Sequence, residues 1–440
     1  MPRLSNTLIA DIVKSTSHPR RPFLHRIPAF LRHVGPGVVT GAADDDPSGI
    51  ATYTQAGAQF GTSVLWTVFL SLPFMVAIQL ISARIGRQSG QGIAANLRAH
   101  TPKAFLLLVV GLLVIANTIN IAADISAMGE GLQLVVGGGE HFHAVVFGII
   151  TVLLQVFVPY RKLAPVLKWF TLTLFVYVLA AFSVNVPWRE VMHDLVIPHL
   201  QFTPAFWMML VAVLGTTISP YLFFWQASQE VEEMRLAGIT AGQESSASLR
   251  RSLRRVRIDT IAGMVFSNGI AFFVMLMGAV VLHAAGVFDV QTAAQAAQAL
   301  RPLAGDFAFA LFALGIIATG LLAVPVLASS SAYAVAEAFG WPEGLERHWH
   351  EAKGFYAVVA IATIIGVGLD FTPVDPMKAL YFSAVINGVV SVPIMAAMML
   401  LAANKRVMGN LTVRRKTRFL GWCTVALMTA AVARMAFDLF

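Results

Sequence analysis

Three consecutive carboxylates, Asp44, Asp45 and Asp46, lie inside the apolar stretch GAADDDPSGIATY, residues 41 to 53. An ionised carboxylate in hydrocarbon costs several kcal/mol on insertion scales, and the sequence places no Lys or Arg at matching depth to pair with it. Pro47 and Gly49 follow at once. Pro47 pushes Asp46 out of helical geometry and removes a backbone donor, while Gly49 tolerates almost any dihedral. The stretch therefore reads as two half-helices, about 34–43 and 50–58, joined by an unwound linker. Backbone carbonyls beside a carboxylate make an oxygen-rich cavity for a hard divalent cation. Asp46 is the leading ligand, and Asp44 and Asp45 are nearby carboxylates, with Asp45 a candidate relay.

A second interruption occurs in VLGTTISPYLFFWQ, residues 213 to 226, where Pro220 stands behind Thr216, Thr217 and Ser219. Pro220 leaves the Thr216 carbonyl without its i+4 donor, and carbonyls at a helix C-terminus suit a cation. A lone proline in a membrane helix is more often a simple kink. Here it repeats the earlier break.

The elements that must hold these residues follow from composition. The chain has 440 residues, 57% hydrophobic and only 12% charged, against about 25% charged in soluble domains. Its single cysteine, Cys423, excludes an internal disulfide framework and a Cys-rich metal centre. Apolar runs near the bilayer-crossing length of about 20 residues are placed at 34–57, 63–85, 104–126, 144–159, 165–186, 205–227, 258–284, 306–337, 354–371, 377–402 and 419–437. Alternate loops, together with the N-terminal segment, carry 27 of the 31 Lys and Arg residues. That bias predicts a cytoplasmic N-terminus and an external C-terminus in a plasma (inner) membrane. The expected division is a tail over 1–30, a transport core over 31–403, and a basic loop with the eleventh span over 404–440. Asp46 is 14 residues from Arg32 and 15 from Gly61, roughly 21 to 23 Å by either path at about 1.5 Å per residue. It belongs near the bilayer middle. The two breaks are five spans apart, an odd number, so a five-span repeat is inverted. That is the signature of a secondary transporter with its site at the midplane.

At these residues the chain resembles the natural resistance-associated macrophage protein (Nramp) family of divalent-metal transporters. The family's Asp-Pro-Gly-Asn break reads DPSG here, with Asp46 and Pro47 matched and Gly49 in the asparagine position. Its Met-Pro-His break reads SPY, with Ser219 for methionine, Pro220 matched and Tyr221 for histidine, and a second family histidine falls at Gln226. GRQSGQGIAANLR (86–98), ADIS (123–126) and FALGIIATGL (312–321) are similar to further family segments. The resemblance implies the leucine-transporter fold, an all-α membrane protein of eleven helices with a 5+5 inverted repeat and helices 1 and 6 broken. It implies metal binding by Asp46 and the Thr216 carbonyl, with Ser219 at the position of the lost thioether and Gly49 widening the metal cavity. Asp45, Asp124, Tyr221, Gln226 and Asn387 are the candidate surrounding or relay residues, although for Asn387 hydrogen bonding between helices is the commoner role.

The departures shape the functional expectation. Without the methionine sulfur only oxygen ligands remain, which removes the preference for softer metals. The family's glutamate three residues beyond the third-helix aspartate is Ala127 here, and the ninth span lacks arginine. The chain is similar to the family's magnesium-transporting branch, so Mg2+ with Mn2+ also accepted and weak or no proton coupling is expected. A proton-coupled Mn2+/Fe2+ importer is the alternative, followed by an amino-acid or sodium-coupled carrier on the same fold. No enzymatic role is expected, because an intramembrane aspartyl protease needs a paired midplane aspartate and GVGLD (366–370) is misspaced and places Asp370 at the membrane edge. No resident cofactor, nucleic acid or obligate protein partner is implied. The basic runs 249–257 and 404–418 match topology and anionic lipid. GPGVVTG (35–41) fails the dinucleotide fingerprint, and its glycines are expected to allow close helix packing. Histidines 141, 143, 193 and 199 fall in external loops, His141 and His143 two apart in a Gly-rich segment.

Overall fold

The computed structural model describes residues 36–158, 171–241, 243, 246–409 and 413–439. The expected tail over 1–30 and the start of the fifth span lie outside them. Among the described residues the regular structure is helical throughout, without a strand. Seven helices are long and apolar enough to cross a membrane: Trp66–Ser89, Lys103–Val136, Pro204–Leu236, Ser248–His283, Ala293–Phe339, Pro376–Ala403 and Arg415–Asp438. Shorter apolar helices occupy His141–Phe157, Leu172–Ala181 and Lys353–Leu369. With Pro36–Asp44 and Pro47–Phe60 as the interrupted first span, these segments fall on all eleven positions expected from the sequence.

Burial separates a central set of helices from a peripheral one. The sixth span is 89% buried over its most apolar stretch, whereas the eleventh is 33% buried. The outer helices turn large apolar side chains outward, among them Ile364 and Phe419, as lipid-facing surfaces do. The first span reaches the centre by way of its glycines. A Cβ on Gly37 would sit 2.6 Å from the Thr260 backbone nitrogen, and one on Gly41 would collide with the Gly263 carbonyl. Further out, a Cβ on Gly278 would meet the Thr54 carbonyl at 2.6 Å. The first and seventh spans therefore pack backbone to backbone, as the glycine-rich start of the first span led us to expect. The ends of two helices converge as well: Arg84 and Arg87 of Trp66–Ser89 and Arg250, Arg254 and Arg257 of Ser246–Met277 line, with Arg414, a cavity of about 520 Å³.

Candidate metal site

Each break has the same local construction. Asp46 has extended backbone (φ −70°, ψ 170°) and caps the half-helix Pro47–Phe60, with proline at its first turn. Ser219 has extended backbone (φ −75°, ψ 131°) and precedes the half-helix Pro220–Leu236, again with proline at its first turn. A residue outside helical geometry followed by proline is the ordinary way to start a helix. Set in mid-span, it leaves a helix N-terminus and a helix C-terminus facing each other.

Asp46 is held by neutral donors from several elements. Its Oδ1 accepts from the Ser48 hydroxyl and the Gly49 N–H, each at 2.7 Å. Its Oδ2 accepts from the Asn120 amide at 3.0 Å, and the Tyr221 hydroxyl lies 3.4 Å away. The Tyr221 hydroxyl donates to the Ala43 carbonyl at 2.8 Å. Among the described residues no Lys or Arg pairs with Asp44, Asp45, Asp46 or Asp124. The positive end of the half-helix and its capping bonds offset part of the cost of burying Asp46, a contribution the sequence reading did not include.

Gly49 marks the point where oxygens converge. A Cβ placed there would meet Thr216 Oγ1 at 3.2 Å, the Asp44 carbonyl at 3.3 Å and Asp46 Oδ1 at 3.4 Å. All three neighbours are oxygen, from both broken helices. Ser219 takes a different posture from the expected one: its hydroxyl donates to the Thr216 carbonyl at 2.7 Å and the Gly215 carbonyl at 2.9 Å. The Thr216 carbonyl released by Pro220 is therefore engaged by its neighbour's hydroxyl rather than bare, because Ser219 is short enough to fold back onto the same turn.

The remaining expected residues divide into those near Asp46 and those elsewhere. Tyr221 is at the carboxylate. Asp124 is fully buried on the third span, and no side chain bonds its oxygens. Asn387 is buried on the tenth span with both amide atoms unpartnered, so it does not serve as the interhelical hydrogen-bonding residue that is commoner in membranes. Gln226 accepts from the Thr40 hydroxyl at 2.7 Å and donates to Glu230 at 3.3 Å, one helical stretch away from the break. Asp44 and Asp45 share one donor, Ser267 of the seventh span, at 2.7 and 3.1 Å.

Asn120, Ser267 and Ser383 were not singled out from the sequence. Asn120 precedes Asp124 by four residues and so shares its helix face, and its Oδ1 accepts from Ser383 at 2.7 Å. That spacing was the available signal for Asn120. Ser267 and Ser383 carried none. A cavity of about 230 Å³ is lined by Ala51, Gln55 and Gln59 on one face of the half-helix Pro47–Phe60, together with Asp289 and Lys378; Gly49 lies on another face.

A carboxylate at the break of one helix, facing the break of another inside an all-helical bundle, defines the class of broken-helix membrane transporters. The family described as natural resistance-associated macrophage protein-like matches residues 37–438. The chain belongs to that family. It is 27% identical to the divalent metal cation transporter MntH of Deinococcus radiodurans over 438 residues, covering 97% of this chain and 93% of that one. The MntH of a Klebsiella pneumoniae strain is likewise 27% identical, over 91% of this chain and 92% of its own. The crystal structure of the Eremococcus coleocola manganese transporter superposes with a TM-score of 0.71 at 18% identity, over 95% of this chain and 88% of that chain. The nucleobase-cation-symport transporter MHP1 superposes at 0.56 with 14% identity, over 92% and 93%. These likenesses establish the leucine-transporter fold expected from the sequence.

Proposed function

We propose that the chain moves divalent metal cations across the membrane into the cytoplasm, with Mg2+ as cargo, Mn2+ also accepted, and weak or no coupling to protons. The observation that carries this reading is the convergence of three oxygens on Gly49, from Asp46, Thr216 and the Asp44 carbonyl. Hard oxygen donors suit magnesium, which keeps several of its waters and so needs room. No thioether stands at Ser219 to favour a softer ion. Asp46, Gly49, Thr216 and Ser219 surround the ion in this reading, and Tyr221 and Asn120 orient the carboxylate.

A proton-coupled manganese or iron importer is the second reading. It draws support from buried Asp124, which could carry a proton, and from relatives named as manganese transporters. Uptake of manganese into proteoliposomes, with magnesium added as competitor and the lumenal pH followed, separates the two. Magnesium competition at comparable concentration without lumenal acidification is expected. Exclusion of magnesium, or proton entry in step with metal, would establish the second reading instead.

A further inference from the structure

A second group of donors lies on the short helix Trp188–Val196 and just beyond its end, between the fifth and sixth spans. His193 Nδ1 is 3.0 Å from Asp194 Oδ1, and His199 Nδ1 approaches the same oxygen at 3.8 Å. One ligand atom from each of the three lies within 4.8 Å of the others. Asp194 Oδ2 accepts from the Thr62 hydroxyl at 2.6 Å. His199 Nδ1 is shielded from solvent and has no hydrogen-bond partner.

We propose that His193, Asp194 and His199 form a second metal site, separate from Asp46 and of zinc-binding character, whose occupation braces the end of the first span. Two imidazoles and one carboxylate are the donor set of open zinc sites, with water completing the shell. At metal–ligand distances of about 2.0–2.2 Å, two donors of a tetrahedral site stand about 3.3 Å apart. The observed gaps of 3.0 and 3.8 Å straddle that value, and both imidazoles are half-exposed. Thr62 supplies the outer hydrogen bond that fixes a ligating carboxylate. The nitrogen donors separate this site from the oxygens that converge on Gly49, and they favour a borderline ion such as zinc over magnesium.

The bracing follows from where Thr62 stands. It comes immediately after Gly61, which ends the half-helix Pro47–Phe60 with φ of 61°. A metal on Asp194 joins the Trp188–Val196 helix to the outer end of the broken helix that carries Asp46.

The test is a cobalt titration of the purified full chain carrying Asp46→Asn, so that the break does not contribute a bound ion. The visible ligand-field bands of nitrogen-coordinated cobalt should appear with one equivalent and be displaced by zinc. They should vanish in His193→Gln/His199→Gln, while Thr62→Val should weaken binding by about tenfold or more. Identical bands with and without the two imidazoles overturn the site. In proteoliposomes of the otherwise native chain, added zinc should slow manganese uptake, and His193→Gln/His199→Gln should relieve that slowing without altering uptake in its absence. Equal zinc sensitivity of the two proteins overturns the bracing. Neither result depends on magnesium being the cargo.

Discussion

The Asn120 side-chain amide reaches across 74 positions to donate to Asp46 Oδ2 at 3.0 Å. The same amide accepts from Ser383 at 2.7 Å through its oxygen, so its orientation is fixed by a third helix. Together these bonds lock the first, third and tenth spans around one carboxylate. Neutral donors orient Asp46 without supplying a counter-charge, which leaves the carboxylate available to a cation. An arginine in the same place would orient it equally well and neutralise it.

Asp46→Asn should therefore abolish metal uptake while leaving the protein inserted and folded, since it removes an intramembrane charge and keeps the shape. The expected result is monodisperse protein with no metal-dependent uptake in proteoliposomes. Asp44→Asn and Asp45→Asn should act more mildly, because the side chains of both turn to Ser267 rather than to the oxygens around Gly49. Uptake by the Asp46 variant at the native rate would move the site elsewhere.

Asn120→Ala should loosen Asp46 without removing it. Loss of a residue that orients a ligand costs about tenfold or more in metal affinity, or about 1.4 kcal/mol per decade. The loss should appear as weaker apparent affinity in uptake assays, and Asn120→Asp should not rescue it, because another carboxylate cannot donate to Asp46. An unchanged affinity in Asn120→Ala would show that the bond is not needed to orient the site.

The close approach of the first and seventh spans gives a stability contrast with an internal control. Gly41→Val places side-chain atoms where the Gly263 backbone already stands, and overpacking of this kind costs roughly 1–3 kcal/mol or more. Gly269, on the same seventh helix, has nothing within 4 Å of its would-be Cβ. Gly269→Ala should be neutral or mildly stabilising, by up to about 1 kcal/mol. Thermal unfolding of the two variants in detergent checks the difference, and equal melting temperatures would contradict the packing.

The contrast between Asp46 and Asn120 shows what was legible in the sequence. Asp46 stood out because a carboxylate followed by proline is costly in hydrocarbon and unhelpful to a helix, and both penalties are visible from residue type alone. The glycine approach at Gly41 was legible for a similar reason, since small residues in a membrane span have few other uses. Asn120, Ser267 and Ser383 were not, because each is an unremarked polar residue whose value depends on what faces it across a helix interface. Ser219 was placed correctly at the second break, but its bonding to Thr216 and Gly215 follows from a rotamer that sequence spacing does not determine. The zinc-type cluster lay in histidines whose positions were noted, but only the fold brings Thr62 against Asp194.

Orientation in the membrane is open to direct measurement. With 27 of 31 basic residues in the N-terminal segment and alternate loops, the N-terminus should be cytoplasmic and the C-terminus external. A reporter fused after Phe440 should be active only in its exported form. Activity of a cytoplasmic reporter at that position would break the eleven-span order.

Selectivity provides the sharpest test, because it can be shifted by design. Around Gly49 a side chain has little room: its first carbon would already touch oxygens at 3.2, 3.3 and 3.4 Å. Gly49→Asn fills that space with an amide and should displace waters that a magnesium ion retains. Ser219→Met removes the hydroxyl from the Thr216 and Gly215 carbonyls and puts a polarizable sulfur at the break. The two changes together should weaken magnesium competition by about tenfold, or about 1.4 kcal/mol, and raise the preference for manganese and cadmium. Competition curves against labelled manganese in proteoliposomes give both quantities. Should the double variant keep the native order of metals, the oxygens converging on Gly49 would not be what sets selectivity, and Asp124 would be the next residue to change.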